Sequence, residues 1–344
     1  MNSFLHRIKE QINTEDETVF RVILYSISDY PHVPDKMMAE LLRQSRKSDA
    51  RQTSVLANTE KVTLGDESIR ELLKCLQVSN HYNRFIEQIK LEKLFEYRQQ
   101  LEPYIHEEDW AFLERIRNAD HRDELNTVYT DLLNEMADNP SPSLLAKGKR
   151  VVDRLVEKEW LTAEESFEKV KESVNAPDMN VNGLFHVYAF RYFREDRYVP
   201  MLAELLTSNN DLLLEEAADT LNHFQTDIVA DELYPLCFEE DFIYPIGVLG
   251  ETKTDYALST LRRLYEDIDE LEPRELIAES MCLHFSEESI PEVESFMEKG
   301  EFTGMVDMDE TAYTYFKVMN REHPDLMLWK NEAEEREGYF RFNE

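Results

Sequence analysis

Hydrophobic residues recur at helical spacing along most of this chain. The clearest early set, Val19, Phe20, Ile23, Leu24 and Ile27, falls on one face of a helix. Alternating runs of Val, Ile and Thr, which favour strands, are missing from the sequence. Glycine, which the tight turns of sheets need, is scarce, with 8 residues in 344. The pattern therefore predicts an all-α protein.

Capping residues and helix-breaking prolines divide the first part of the chain into helices. Thr14 and Glu17 have the spacing of a capping box, in which each side chain bonds the other's backbone N–H. Thr162 and Glu165 repeat this spacing. Further helices are predicted over residues 66–78, 81–100, 103–118, 120–137 and 144–160. The stretch 43–61 is the least patterned and carries Arg43, Arg46, Lys47 and Arg51. It is therefore either a basic binding loop or, as we prefer, a solvated helix end and connection.

Two prolines in Asn139–Ser143 mark the best linker in the chain, because the residue before a proline disfavours the helical conformation. We therefore expect a helical N-terminal region over 1–139. A linker with bridging helices follows over 140–179. A repeat region is expected over 180–335 and a tail over 336–344.

Self-similar segments begin at His186, Glu216, Phe242 and Leu276. Each has an apolar helix, a short polar turn with an acid, and a second helix. The first helices are expected to end at residues 193, 224, 250 and 285, and a fifth unit runs from Met308 to Glu334. One such hairpin cannot bury both of its apolar faces, whereas stacked hairpins can.

The second helices open with related segments, Tyr198-Val-Pro-Met-Leu202 and Ser289-Ile-Pro-Glu-Val293. Each holds a proline in the first turn, where a missing N–H costs little. These segments resemble HEAT repeats in their short bacterial form, over residues 180–335. The third unit lacks the turn aromatic, and the N-terminal 140 residues show no clear repeat. The resemblance implies an α-solenoid whose concave face is lined by second helices and which binds proteins more often than it catalyses a reaction.

Negative charge is concentrated in the second half of the chain. The formal net charge is -34, of which residues 1–150 contribute -5 and residues 151–344 contribute -29. Between Arg197 and Lys253 there are 12 acids and no Lys or Arg. Such a field repels nucleic-acid phosphates and attracts cationic surfaces. The alternative is an acidic composition that serves only solubility.

Motifs that would indicate catalysis are missing from the sequence. It contains no HExxH, GxSxG, GxGxxG or P-loop pattern. We therefore expect a protein that is not an enzyme and has no cofactor and no metal. His223 and His284 occupy the same place in their repeats, each directly before a turn phenylalanine. Two such imidazoles could be metal ligands on one ridge. The interpretation that we prefer is that they are cations at helix C-termini, where the helix dipole favours positive charge. The three cysteines are expected to be buried thiols in a reducing cytoplasm.

These observations predict a non-enzymatic interaction or scaffold module that binds a basic protein or peptide surface. The acids expected on its concave face are Glu204, Asp227, Asp231, Glu288 and Glu292. The alternative is an inhibitor or immunity-type protein that blocks a basic nucleic-acid-acting enzyme by charge mimicry. Nucleic acid and membrane partners are not expected, the sequence identifies no small-molecule substrate, and the expected location is the cytoplasm.

Overall fold

Residues 3–139, 141–174 and 181–341 are described by a computed structural model. The chain is helical throughout these residues, and the single β pairing among them is an isolated bridge between Leu64 and Ile89. The all-α prediction is thereby confirmed. Pro140 of the predicted linker, residues 175–180 and residues 342–344 of the tail lie outside the described residues.

The α-helices follow one another with short connections. The first eleven are α1 Ser3–Gln11, α2 Glu17–Tyr25, α3 Asp35–Gln44, α4 Asp49–Asn58, α5 Asp66–Leu76, α6 Leu91–Glu96, α7 Arg98–Leu101, α8 Glu107–Arg117, α9 Arg122–Asp138, α10 Pro142–Glu157 and α11 Ala163–Val174. The others are α12 Val181–Phe193, α13 Val199–Glu204, α14 Asp211–Asn222, α15 Asp227–Leu233, α16 Ile243–Glu251, α17 Asp255–Asp267, α18 Leu271–Leu283, α19 Ile290–Lys299, α20 Met308–Val318 and α21 Leu326–Arg341. Short 3-10 helices cover Asn80–Gln88, Glu102–Tyr104, Asp196–Tyr198, Leu205–Thr207, Tyr234–Phe238 and Glu287–Ser289.

The helices form two compact units. The first unit comprises Met1–Val62, Asp66–Glu71 and Gln225–Glu344, and the second comprises Thr63–Gly65 and Leu72–Phe224. This division differs from the one expected from the sequence, because residues 139–143 fall inside the second unit. There the Ser141 side chain accepts a hydrogen bond from the backbone of Leu144 and caps α10, which packs against α9. Ser141 and Pro142 therefore belong to the start of α10, and Pro142 lies in its first turn.

Left-handed residues mark the ends of the first helices of the hairpins. Positive φ angles between 48° and 57° occur at Glu159, Arg194, Gln225, Phe285 and Asn320, which follow α10, α12, α14, α18 and α20. A left-handed residue lets the chain leave a helix and start the return helix within a few residues. The hairpin at α16 and α17 turns instead through the extended residues Thr252 and Thr254. The hairpin pattern thus includes α10 and α11, which precede the predicted repeat region.

The first unit joins the two ends of the described chain. Helix α2 packs against α20, and the ring centroids of Phe4 and Phe285 lie 6.4 Å apart. Asp16 accepts hydrogen bonds from the Tyr313 hydroxyl at 2.6 Å and from the Lys330 ammonium at 2.8 Å. The N-terminal helices therefore complete the apolar core of the C-terminal hairpins, a pairing that helical periodicity could not show.

The first predicted capping box is wrong, and the second is confirmed. Helix α2 is capped by Asp16, whose carboxylate accepts from two backbone N–H groups of the first turn. Glu17 cannot reach back, because it binds the guanidinium of Arg51 at 2.8 Å. At α11, Glu165 and Thr162 exchange the two expected bonds at 3.1 and 3.2 Å.

The basic stretch 43–61 is not an open binding loop. It begins as the solvated helix end and connection that we expected, since three of its basic residues are exposed at or just after the end of α3. Most of it is α4, and Arg51 is only 2% exposed. Its guanidinium donates to Glu17, to the Gln44 side chain at 2.7 Å and to the Thr14 carbonyl at 2.7 Å, and it lies over the Phe20 ring. A buried charge needs such partners, because desolvation would otherwise destabilise the fold. The predicted helix over 81–100 is also wrong, since a 3-10 helix and the short α6 and α7 replace it.

Candidate protein-binding surface

The five acids predicted to bind a partner divide between the two units. Glu204 is exposed on α13 of the second unit. The other four belong to the first unit, with Asp227 and Asp231 on α15, Glu288 in a 3-10 helix and Glu292 on α19. Asp227, Asp231 and Glu288 are exposed, as a binding role requires.

Glu292 has a structural role that its sequence position did not reveal. Its side chain is only 11% exposed, and its Oε1 lies 2.8 Å from Nε and from an Nη nitrogen of Arg262 on α17. Asp231 similarly accepts the Tyr256 hydroxyl at 2.5 Å. These two acids bind neighbouring hairpins to each other, so reversing their charge would disturb the fold as well as any binding.

A second acidic surface of the first unit lies where one hairpin connects to the next. We call it the connection edge and define it as residues 238–243, 267–272 and 298–305. Consecutive helices from α15 to α20 pack against each other, so alternate connections lie on the same side. The Tyr234 hydroxyl donates to Asp267 at 2.7 Å, and the backbone N–H of Thr303 donates to Glu275 at 2.8 Å. These contacts hold the three connections beside one another.

Exposed acids dominate the connection edge. They are Glu239, Glu240, Asp241, Asp267, Asp269, Glu270, Glu272, Glu298 and Glu301. The three segments contain one basic residue, Lys299. Asp269 is fully exposed, and its nearest cation, Arg274, is 3.8 Å away. The edge therefore presents a strong negative field to solvent.

Large apolar side chains are exposed among these acids. Every one of the three connections contributes at least one, and their exposed fractions lie between 37% and 54%. They are Phe238, Ile243, Leu271, Phe302 and Met305. Apolar groups surrounded by polar ones are typical of protein interaction sites. The resemblance to HEAT repeats had led us to expect the binding acids on the second helices, and only the structure brings these apolar residues together.

The first unit also contains a buried cluster of acids. Glu279 on α18 is 5% exposed, and its burial, followed by the charges of Glu251 and Glu275, raises its pKa to about 8. Burial raises the pKa of Glu251 to about 7, against the opposing effect of Lys253. The Lys253 ammonium donates to the Gly250 carbonyl at 2.6 Å. Glu279 is therefore largely protonated near neutral pH and can donate a hydrogen bond.

The two histidines do not act as helix C-terminal cations. His223 and His284 do follow α14 and α18 directly, but His284 is buried and His223 is half-buried. Burial and then Arg191 lower the pKa of His223 to about 3, and burial and then Lys253 lower the pKa of His284 well below its usual range. Desolvation of the charged ring thus outweighs the helix dipole. Within the described ranges no group of three or more His, Cys, Asp or Glu side chains could hold a metal ion.

The three cysteines are buried and unbridged, as expected. Burial raises the pKa of the Cys237 thiol to about 12, so it is not a nucleophile near neutral pH. In the part of the chain that the structure describes, no helix combines the length and the apolar character needed to cross a membrane.

Comparison with known proteins finds little that is similar. No family model matches the chain, and no curated protein matches it. The crystal structure of an engineered protein from the Northeast Structural Genomics Consortium is 12% identical and has a TM-score of 0.32, with 94% of this chain and 100% of that chain covered. Similarity at this level supports no functional argument, and the resemblance to HEAT repeats stays a prediction.

Proposed function

We propose that this protein is a non-enzymatic interaction module that binds a basic, partly apolar segment of another protein. The connection edge is the binding surface. One observation supports this most directly: nine exposed acids and five exposed large apolar side chains occupy the same three connections, together with a single lysine. Cationic side chains of the partner would meet the acids, and its apolar side chains would cover those of the edge.

The position of several acids argues against a purely structural role. Acids stabilise a helix N-terminus and are unfavourable at a helix C-terminus, by about 0.3–1 kcal/mol each. Asp269, Glu270 and Glu272 lie at the start of α18, so they help that helix. Glu298 and Glu301, by contrast, lie at and just beyond the C-terminus of α19, where they oppose the dipole. A cationic partner would offset this cost.

The mixture of charge and apolar surface also fits the energetics of association. Charge complementarity mainly accelerates encounter and selects the partner, whereas buried apolar contacts supply most of the affinity. The connection edge offers both. A phosphate mimic would need only the charge, so exposed Phe238 and Phe302 favour a protein segment over the charge-mimicry alternative.

The test uses a fluorescent peptide of about 15 residues in which Lys and Leu alternate at helical spacing. Its binding to the full chain is measured by fluorescence anisotropy at low and high salt. The variant Glu240→Lys/Glu270→Lys/Glu301→Lys changes one exposed acid in each connection. Each substitution replaces an attraction between the edge and a peptide lysine by a repulsion, at about 0.5 kcal/mol per site. Together the three substitutions should weaken peptide binding by about tenfold or more.

A matched control changes the same charge elsewhere. Glu204→Lys/Asp227→Lys/Glu288→Lys alters three exposed acids outside the connection edge and leaves that edge intact. We expect it to weaken binding by less than about threefold, since only the long-range field changes. Equal loss in both variants would show that net charge alone matters and would reject the edge as a site. A Lys/Ser peptide that binds as tightly as the Lys/Leu peptide would instead support charge mimicry.

A further inference from the structure

The second unit contains a cavity of about 520 Å³ that is independent of the connection edge. It is lined by residues of α9, α10, α11 and α12 and of the turn before α11. Small-molecule sites commonly have about 300–1,000 Å³. The apolar part of its wall is formed by Val152, Leu155 and Leu161, which are buried in the fold. A ligand here would therefore cover apolar surface that already belongs to the core.

A small number of polar groups reach this apolar wall. His186 on α12 lines the cavity, and its Nδ1 lies 3.3 Å from Oγ of Ser166, which is completely buried. Ser166 thereby fixes the ring and leaves Nε2 as the nitrogen that a ligand can reach. The Tyr129 hydroxyl donates to the Asn182 side chain at 2.8 Å, so these two groups satisfy each other.

The imidazole of His186 is neutral. Burial, followed by the nearby charge of Lys169, lowers its pKa to about 4. Glu165 opposes this effect but does not overcome it. Above about pH 5 the ring therefore offers a neutral hydrogen-bonding nitrogen, and it does not attract an anion.

The charged residues around the opening are paired with one another. Arg122 donates to Glu165 at 2.9 Å, and the Lys169 ammonium donates to Glu172 at 2.6 Å. Arg197 donates to Glu164 at 2.6 Å. A charged ligand would have to displace such a pair, whereas a neutral one would not.

We infer that this cavity binds a neutral, largely apolar small molecule with one hydrogen-bonding group that contacts Nε2 of His186. Its apolar body lies against the wall formed by α10 and the turn before α11. Asn126 on α9 lines the same cavity and is half-buried, so a large side chain at this position would fill the space without replacing a core residue.

The probe is N-phenyl-1-naphthylamine, a neutral apolar fluorophore with one N–H group, titrated into the full-length chain. We expect saturable fluorescence enhancement at one site. Asn126→Trp should weaken this binding by about tenfold or more. The matched control Asn134→Trp changes an exposed asparagine of the same helix that does not line the cavity, and it should bind the probe like the wild type. Circular dichroism confirms that both variants are folded.

Two further measurements test the chemical class of the ligand. The anionic probe 1-anilinonaphthalene-8-sulfonate should bind at least about tenfold more weakly than the neutral probe. The affinity for the neutral probe should be constant between about pH 8 and pH 5.5, since the ring does not titrate there. His186→Leu should weaken binding by about threefold. Unchanged binding in Asn126→Trp, tighter binding of the anionic probe, or a loss of affinity near pH 6.5 would each overturn the inference.

Discussion

Replacing the buried Glu279 by glutamine should stabilise the protein near neutral pH. In the unfolded chain this carboxyl has a pKa near 4.5, and in the folded protein burial and the charges of Glu251, Glu275 and Asp307 raise it to about 8. Tyr25 on α2 lies within hydrogen-bonding reach of the same carboxyl. Glutamine keeps the shape and an acceptor for that hydroxyl, and it has no charge to desolvate.

The sign and size of the effect follow from proton linkage. Because the folded pKa is higher, the folded protein binds more protons than the unfolded chain between about pH 4.5 and pH 8. Its free energy of unfolding therefore falls by about 1.4 kcal/mol for each pH unit in this window. From pH 4.5 to pH 7 the loss is about 3 kcal/mol. Glu279→Gln avoids this loss, so it should be up to about 3 kcal/mol more stable than the wild type at pH 7 and nearly equal to it below pH 4.5.

Urea unfolding followed by circular dichroism, at about pH 5 and about pH 7.5, measures this difference. Glu272→Gln is the matched control, since it removes an exposed carboxylate from the first turn of the same helix, α18, and should cost less than about 1 kcal/mol at either pH. A Glu279→Gln protein that is no more stable than the wild type at pH 7.5, or that gains the same amount at both pH values, would refute the reasoning.

Further substitutions test the core of each unit by the same unfolding measurement. Arg51→Ala should lower the free energy of unfolding by about 3 kcal/mol, because it leaves buried acceptors without a donor. Arg43→Ala, which removes an exposed arginine, should lower it by less than about 1 kcal/mol. Equal decreases in the two variants would contradict a special role for the buried arginine. Gly148→Ala should cost about 1–3 kcal/mol, since its Cβ would lie 2.1 Å from the Phe185 ring. At Gly247, in the middle of α16, an added Cβ would have no atom within 4 Å. Gly247→Ala should therefore raise the free energy of unfolding by about 0.5–1 kcal/mol, because alanine favours helix more than glycine does. A decrease would show that the helix needs glycine at this position.

Helical periodicity predicted the fold class and many helices, because an amphipathic helix has to place its apolar residues at fixed spacing. It also placed the prolines at residues 200 and 291 correctly in the first turns of α13 and α19. It failed where a distant partner decides the outcome. Asp16 caps α2 because Glu17 is held by Arg51, which lies 34 residues later. No local pattern contains that information.

The candidate surface was predictable in sign but not in place. The excess of acids after residue 150 can be counted in the sequence, and it gives the sign of the surface charge. Charge alone could not distinguish acids bound within the fold, such as Glu292, from those that face solvent. The exposed Phe238 and Phe302 are 64 positions apart in the sequence, so only the packing of successive hairpins brings them to one surface. The histidines were misjudged because burial, which cancels their charge, is not visible in their spacing.

The construction of the first unit has a consequence for synthesis of the chain on the ribosome. Arg21 on α2 forms its ion pair with Glu310, which is 289 positions further on. At about 5–20 residues per second, α2 has to wait about 15–60 s for this neighbour to be made. During that time its buried residues, Val19, Phe20, Ile23 and Leu24 among them, are without their α20 neighbours. Closing so long a loop costs little more free energy than closing a short one, but it slows folding. The nascent chain therefore offers an apolar helix to chaperones well before the folded protein conceals it.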